Sequence, residues 1–437
     1  MAMSELNRCV APEVFPLRGM KLPDVQRIML ENGVELVWLN HGSQPVNRMM
    51  ITWRVGAADV ECQEALHLLR MLLPEGTKSL TGEQMAETFE YNGAWIRVEA
   101  GMHVLSITVH SLNKTVAEIL PSVMEMIMVP TFPQENMVSI RAKEAAACDL
   151  RRKRVVQKAL ELSRKLSYGE HHPLSRVETG KSIQFVERAQ IVDIHERIML
   201  SSAPVVYLAG QIDDALLKMV CNALGSLRFS ARKNAVACTM VPFEARKSDI
   251  REVDVDASSL QTAIRMSMPT ITRAHDDYES LRFTVFAFGG YFGSRLMSNI
   301  REDKGYTYGI NASLASLKEG AHISVNCQCD NKYSDLVLDE INNEVKRLSS
   351  ELMDEEELQV VKSTAMSSLT AVLDSPFSIM DYYALLDSYG IGGEYYGHQL
   401  KQLEELTPER VRYCAEQYIA DAPQIIALAG NPCKADV

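Results

Sequence analysis

Ten histidines and nine cysteines are the side chains of this sequence best able to hold a metal or attack a carbonyl. A hydrolytic zinc helix needs two imidazoles at i and i+4, which share a face, and an acid to take a proton from the metal-bound water. No His-x-x-x-His pair occurs. His171 and His172 are adjacent, face different directions and read as structural or surface residues. The cysteines are scattered and odd in number, with no Cys-x-x-Cys, which reads as a reducing compartment where thiols serve as small apolar groups. Cys327 and Cys329 lie two apart on an expected strand, hence on one face, as paired core thiols. Cys148 lies within an expected helix, and a structural role outweighs a nucleophilic one there. Gly289, Gly290 and Gly293 lack the Gly-x-Gly-x-x-Gly spacing and no Walker lysine follows, so they read as close packing of a helix on a sheet, not a phosphate loop.

The elements that position these residues are of both kinds. Residues 34–39 and 49–55 are rich in branched and aromatic side chains and predict strands. Residues 63–73 carry apolar side chains at helical spacing and stop at Pro74. Thr81-Gly82-Glu83-Gln84 has the form of a capping box opening a helix that ends at Gly93. Residues 95–109 read as a β hairpin, and 113–128 and 135–167 as helices. The expected class is α+β, one sheet with helices against it in each domain.

Similar segments recur about half a chain apart. Pro204 opens an apolar run ending in Ala209-Gly210, and Pro423 opens another ending in Ala429-Gly430; a helix-like segment, 189–200 and 407–420, precedes each. An internal duplication follows. The expected division is an N-terminal domain over 1–230, a polar linker over 231–258 and a C-terminal domain over 259–437. The net charge of −12 argues against nucleic acid, which requires a basic footprint. The first 18 residues have no long apolar run, and no stretch approaches the length of a membrane helix, so a cytoplasmic protein without a membrane partner is expected.

Two segments carry a family resemblance. Residues 56–93, GAADVECQEALHLLRMLLPEGTKSLTGEQMAETFEYNG, resemble the zinc-helix region of the pitrilysin/insulinase metallopeptidases, in which His-x-x-Glu-His precedes a Gly-Thr. Residues 288–310, FGGYFGSRLMSNIREDKGYTYGI, resemble the C-domain signature of the same family. Counting back from Gly76-Thr77 sets His67, Arg70 and Met71 at the three motif positions, and the family's spacing sets the third ligand at Cys148; His172-Pro173 supports that register. An arginine cannot act as a base, its charge repels Zn²⁺, and a thioether is a poor zinc ligand. The resemblance therefore implies a zinc site that has been lost, with no catalytic residue and no metal in this chain. His67 and Cys148 read as a satisfied core pair in preference to a weak two-ligand metal site.

In active members of the family an arginine and a tyrosine of the C-domain motif bind the substrate backbone opposite the zinc helix; here they are Arg301 and Tyr308. A guanidinium and a phenol are suited to a peptide carbonyl or a developing oxyanion. Taken alone, Arg301 would be a solvated helix-end charge and Tyr308 a half-buried strand residue, with Glu302, Asp303 and Lys304 in a solvated turn. The resemblance implies two similar domains, each a mostly antiparallel sheet flanked by helices, facing across a cleft. It further implies a catalytically silent subunit that pairs with a homologous zinc-bearing peptidase chain, zinc residing in that partner only, and binds peptide in trans. A non-peptidase scaffold, in the form of a homodimer, is the alternative.

Overall fold

Apolar runs with branched side chains build two sheets in the computed structural model, which describes residues 19–230, 235–238, 241, 244–317 and 320–432. The expectation for the first 18 residues, and parts of the 231–258 linker, lie outside the described residues. The first sheet comprises β1 (Gln26–Met29), β2 (Glu35–Asn40), β3 (Val46–Trp53), β4 (Trp95–Ala100), β5 (Leu105–Leu112) and β6 (Val205–Gly210), in the order β1-β2-β6-β3-β5-β4. The second comprises β7 (Ile250–Val255), β8 (Gln261–Thr270), β9 (Thr307–Ser316), β10 (Ala321–Asp330) and β11 (Ile425–Gly430), in the order β7-β11-β8-β10-β9. β7 opens the second sheet from within the stretch read as linker.

The two sheets repeat one plan. In the first, β2 and β6 run parallel, and β6, β3, β5 and β4 then alternate antiparallel. In the second, β7 and β11 run parallel, and β11, β8, β10 and β9 alternate in the same way. β6 and β11 are central strands, which is why each reads as a nearly continuous apolar run. Both end in a glycine with φ of +137°. A Cβ on Gly210 would meet the Val46 carbonyl oxygen at 2.2 Å, and one on Gly430 the Gln261 carbonyl oxygen at 2.5 Å. Only glycine supplies both that conformation and that approach, and the recurrence agrees with a duplication.

Helices cover one face of each sheet with partners from their own half. On the first sheet the apolar stripe of Gln63–Leu72 buries Ala65, Leu66, Leu68, Leu69 and Leu72 in the same core as Ile51 and Ile107. The expected capping box is formed: the Thr81 hydroxyl accepts from the Gln84 N–H at 3.2 Å, and the Gln84 side chain accepts from the Thr81 N–H at 3.0 Å.

The remaining face is covered reciprocally. Residues 135–167 were expected to form one helix, but the structure splits it into Gln134–Arg152 and Val155–Tyr168, with Arg154 extended between them (φ −77°, ψ 132°). The break redirects the second helix onto β8 and β11 of the opposite sheet, where Leu166 packs on Ile425 and Ala427. In return Pro376–Tyr389 crosses onto β2 and β6. There Asp381 receives the Arg48 guanidinium at 2.9 Å, and Asp387 receives Arg27 at 2.7 Å and the Tyr207 hydroxyl at 3.1 Å. Among the described residues no helix is long and apolar enough to cross a membrane, and the seven cysteines there are free thiols.

Candidate functional site

The apolar stripe of Gln63–Leu72 leaves His67 and Arg70, one turn apart, on the face turned from the core. His67 is held on both ring nitrogens. Nε2 lies 2.9 Å from the Glu144 carboxylate, on Gln134–Arg152, and Nδ1 lies 3.0 Å from the Glu178 carboxylate, in a later loop. The Arg70 guanidinium sits 3.3 Å from Nε2. Burial works against the imidazolium, but the hydrogen bond and charge of Glu178, with the bond to Glu144, outweigh it and hold the His67 pKa above its ordinary value.

Cys148 and Asp149 hold the Glu178 loop in place. The Cys148 thiol donates to the Glu178 carbonyl at 3.4 Å, and Asp149 accepts from the Gly180 N–H at 2.9 Å. Cys148 is buried, and that burial pushes its thiol pKa up, so it is no activated nucleophile. His67 and Cys148 thus share the Glu178 segment as a packed pair. The carboxylate that reaches His67 from this helix is Glu144, one turn before Cys148. Met71 lies half-buried. These residues do not fit zinc: both nitrogens of the one histidine are engaged, the base position is a guanidinium and the second ligand position a thioether. No hydrolytic step can be drawn through them.

The C-domain motif is arranged quite differently. Gly289 lets its helix approach β9, since a Cβ there would stand 2.6 Å from the Ala312 Cβ, in line with the packing role expected of the glycine cluster. Arg295 makes a two-point bond to Glu357 at 2.7 and 2.8 Å, and Asn299 donates to Glu344 at 2.7 Å, which fixes the turn Met297–Asp303. Glu302, Asp303 and Lys304 are exposed, as expected of a solvated turn, and Lys304 pairs with Glu340 at 2.5 Å. Arg301 then lies between two aromatic rings, 4.8 Å from the centroid of Phe292 and 5.2 Å from that of Tyr308. Phe292 is 61% exposed and Tyr308 91%. Tyr308 is therefore not a half-buried strand residue. Cation–π contact of this kind holds a guanidinium by its charge and does not use up its N–H donors.

Phe292, Glu144 and Glu178 escaped the sequence reading. The two carboxylates come from 77 and 111 residues beyond His67. The bland readings of other residues hold: His172 is buried with Nε2 donating to the Val241 carbonyl at 2.7 Å, and Cys327 and Cys329 are both buried in the second sheet.

A family profile described as the peptidase M16 inactive domain matches residues 186–365. Over that stretch the chain resembles the inactive domain of the M16 peptidases. Among relatives, an uncharacterised zinc protease of Mycobacterium leprae is 26% identical over 261 residues, covering 57% of this chain and 56% of that protein. The non-peptidase homolog YmxG of Helicobacter pylori is 25% identical over 247 residues, covering 56% of each. The match thus spans little more than half the length of these relatives. In fold the chain is similar to a crystal structure of a peptidase M16 inactive domain from Pseudomonas fluorescens, with a TM-score of 0.84, 21% identity, and coverage of 95% of this chain and 100% of that one.

Proposed function

We propose that this chain is a catalytically silent subunit that pairs with a homologous zinc-bearing chain and contributes Arg301 and Tyr308 to binding the peptide that the partner cleaves. The observation that carries the reading is the exposure of the two rings that Arg301 lies over. A fold that needed these groups only for packing would bury them, yet Tyr308 is 91% exposed and leaves the guanidinium able to donate. The His67 ring, engaged on both nitrogens by Glu144 and Glu178, supports the other part of the reading, because hydrolysis must then come from elsewhere.

Affinity capture from the native host, followed by mass spectrometry, should recover a homologue carrying His-x-x-Glu-His in equal amount. In the reconstituted pair, Arg301→Ala should lower kcat/KM by about 10- to 100-fold, the equivalent of a charge-assisted hydrogen bond, without changing the elution volume of the complex. Unchanged turnover would remove Arg301 from peptide binding. Recovery of the chain only with itself would replace the pairing by a homodimeric scaffold.

A further inference from the structure

A second cluster of ligating groups, sharing no residue with the His67 cluster, joins the loop before the Gln63–Leu72 helix to the segment between the two halves. Asp59 follows β3, His103 occupies the turn between β4 and β5, and Cys238 belongs to the joining segment. The Asp59 Oδ2 is 3.4 Å from His103 Nδ1, the Cys238 Sγ is 4.0 Å from that same nitrogen, and the three donor atoms all lie within 4.8 Å of one another. The Asp59 carboxylate is wholly covered and the His103 side chain nearly so.

We propose that Asp59, His103 and Cys238 bind a divalent metal ion, zinc by donor preference, which ties the joining segment to the first sheet. A tetrahedral zinc holds nitrogen, oxygen and sulfur at about 2.0–2.3 Å, which sets donor-to-donor edges of roughly 3.3–3.6 Å. The Asp59–His103 edge of 3.4 Å already has that length, and the Cys238–His103 edge of 4.0 Å shortens by about half an ångström when the metal binds. Imidazole, carboxylate and thiolate together are a zinc set, whereas hard cations such as Mg²⁺ and Ca²⁺ take oxygen alone. Three protein donors leave a fourth position for water.

The site is built on a rigid platform. The Ala57 and Ala58 N–H groups donate to the Gly101 and Met102 carbonyls, each at 2.9 Å, and clamp the two loops together. Gly56 packs so closely on the 101–103 turn that a Cβ would lie 2.4 Å from the Gly101 oxygen, and its N–H donates to Asp59 Oδ2 at 2.8 Å. That bond orients the carboxylate as outer-shell partners of metal ligands do. The segment that brings Cys238 is anchored on both sides, by the Val236 N–H on the Arg197 carbonyl at 3.2 Å and by the Val241 carbonyl on His172 at 2.7 Å.

The test uses the full chain, stripped by chelator and titrated with Co²⁺ and Zn²⁺. The wild type should take up about one equivalent of metal and show a thiolate-to-cobalt charge-transfer band in the near ultraviolet. Cys238→Ser should abolish the band, and loss of a direct ligand should weaken zinc binding by about 100-fold or more, beyond what outer-shell changes cost. Asp59→Asn, which keeps the bond from Gly56, should weaken both metals while the near-ultraviolet circular dichroism of the apo chain stays native. His67→Gln should change neither, since it lies in the other cluster. Absence of the band in the wild type, or its survival in Cys238→Ser, would overturn the assignment, the second outcome placing the metal on other thiols.

Discussion

His322 should make the exchanged helices sensitive to acid. Its ring, on β10, accepts the Tyr168 hydroxyl from Val155–Tyr168 through Nδ1 at 3.1 Å. Burial, with Arg265 on β8 and Arg164 on the same helix as Tyr168, pushes its pKa down from 6.5 to about 4. A depressed folded value means that the neutral ring is favoured in the fold. The stability this represents is present above pH 6.5 and is lost as pH falls toward the folded pKa. Linkage between values of 6.5 and about 4 gives a loss of about 2.5 kcal/mol at pH 4.5, because the unfolded ring is protonated there and the folded ring mostly is not. The measurement is the urea midpoint of the wild type and of His322→Gln from about pH 7.5 down to about pH 4.5, converted with the measured slope. The wild type should lose about 2.5 kcal/mol more than the variant across that window. An offset between the two proteins that does not change with pH would refute the argument, since burial of a neutral histidine would then carry no proton linkage.

His67 should behave in the opposite sense. Its pKa is raised, so its contribution is complete below its ordinary value of 6.5 and is lost as pH rises through the folded pKa; His67→Gln should cost about 1.5–3 kcal/mol in mild acid and less in alkali, read from urea midpoints at both ends. Leu166→Ala, on the helix that crosses to β11, should cost about 2–4 kcal/mol in thermal or urea unfolding, as for other buried leucines; a cost below about 1 kcal/mol would mean that the exchanged contact is loosely packed.

The duplication, the capping box at Thr81 and the packing role of Gly289 were legible because each is written in neighbouring residues. Gln84 answers Thr81 across one turn, and the paired Ala-Gly strand ends mark positions where a backbone crosses too closely for any side chain. What local pattern could not reveal is where helices go. Residues 135–167 are helical almost throughout, and the interruption at Arg154 answers to a sheet more than a hundred residues away, on which Val155–Tyr168 must lie. The same distance hid Glu144 and Glu178. Family spacing, counted from Met71, leads to Cys148; counted from His67, the histidine that survives, the same 77 residues lead to the carboxylate that holds it. Phe292 escaped because an exposed aromatic gains meaning only once Arg301 is seen against its face.

The reciprocal crossing of Val155–Tyr168 and Pro376–Tyr389 bears on how such a chain could arise. A half-length ancestor with this helix extended onto a neighbour would have left one face of its own sheet bare, and two copies would have closed each other as a swapped, two-fold dimer. Fusion of two such copies end to end preserves every contact and adds only a tether. Cleaving the present chain at its seam should accordingly yield fragments that complement one another on mixing, while neither fragment folds in isolation.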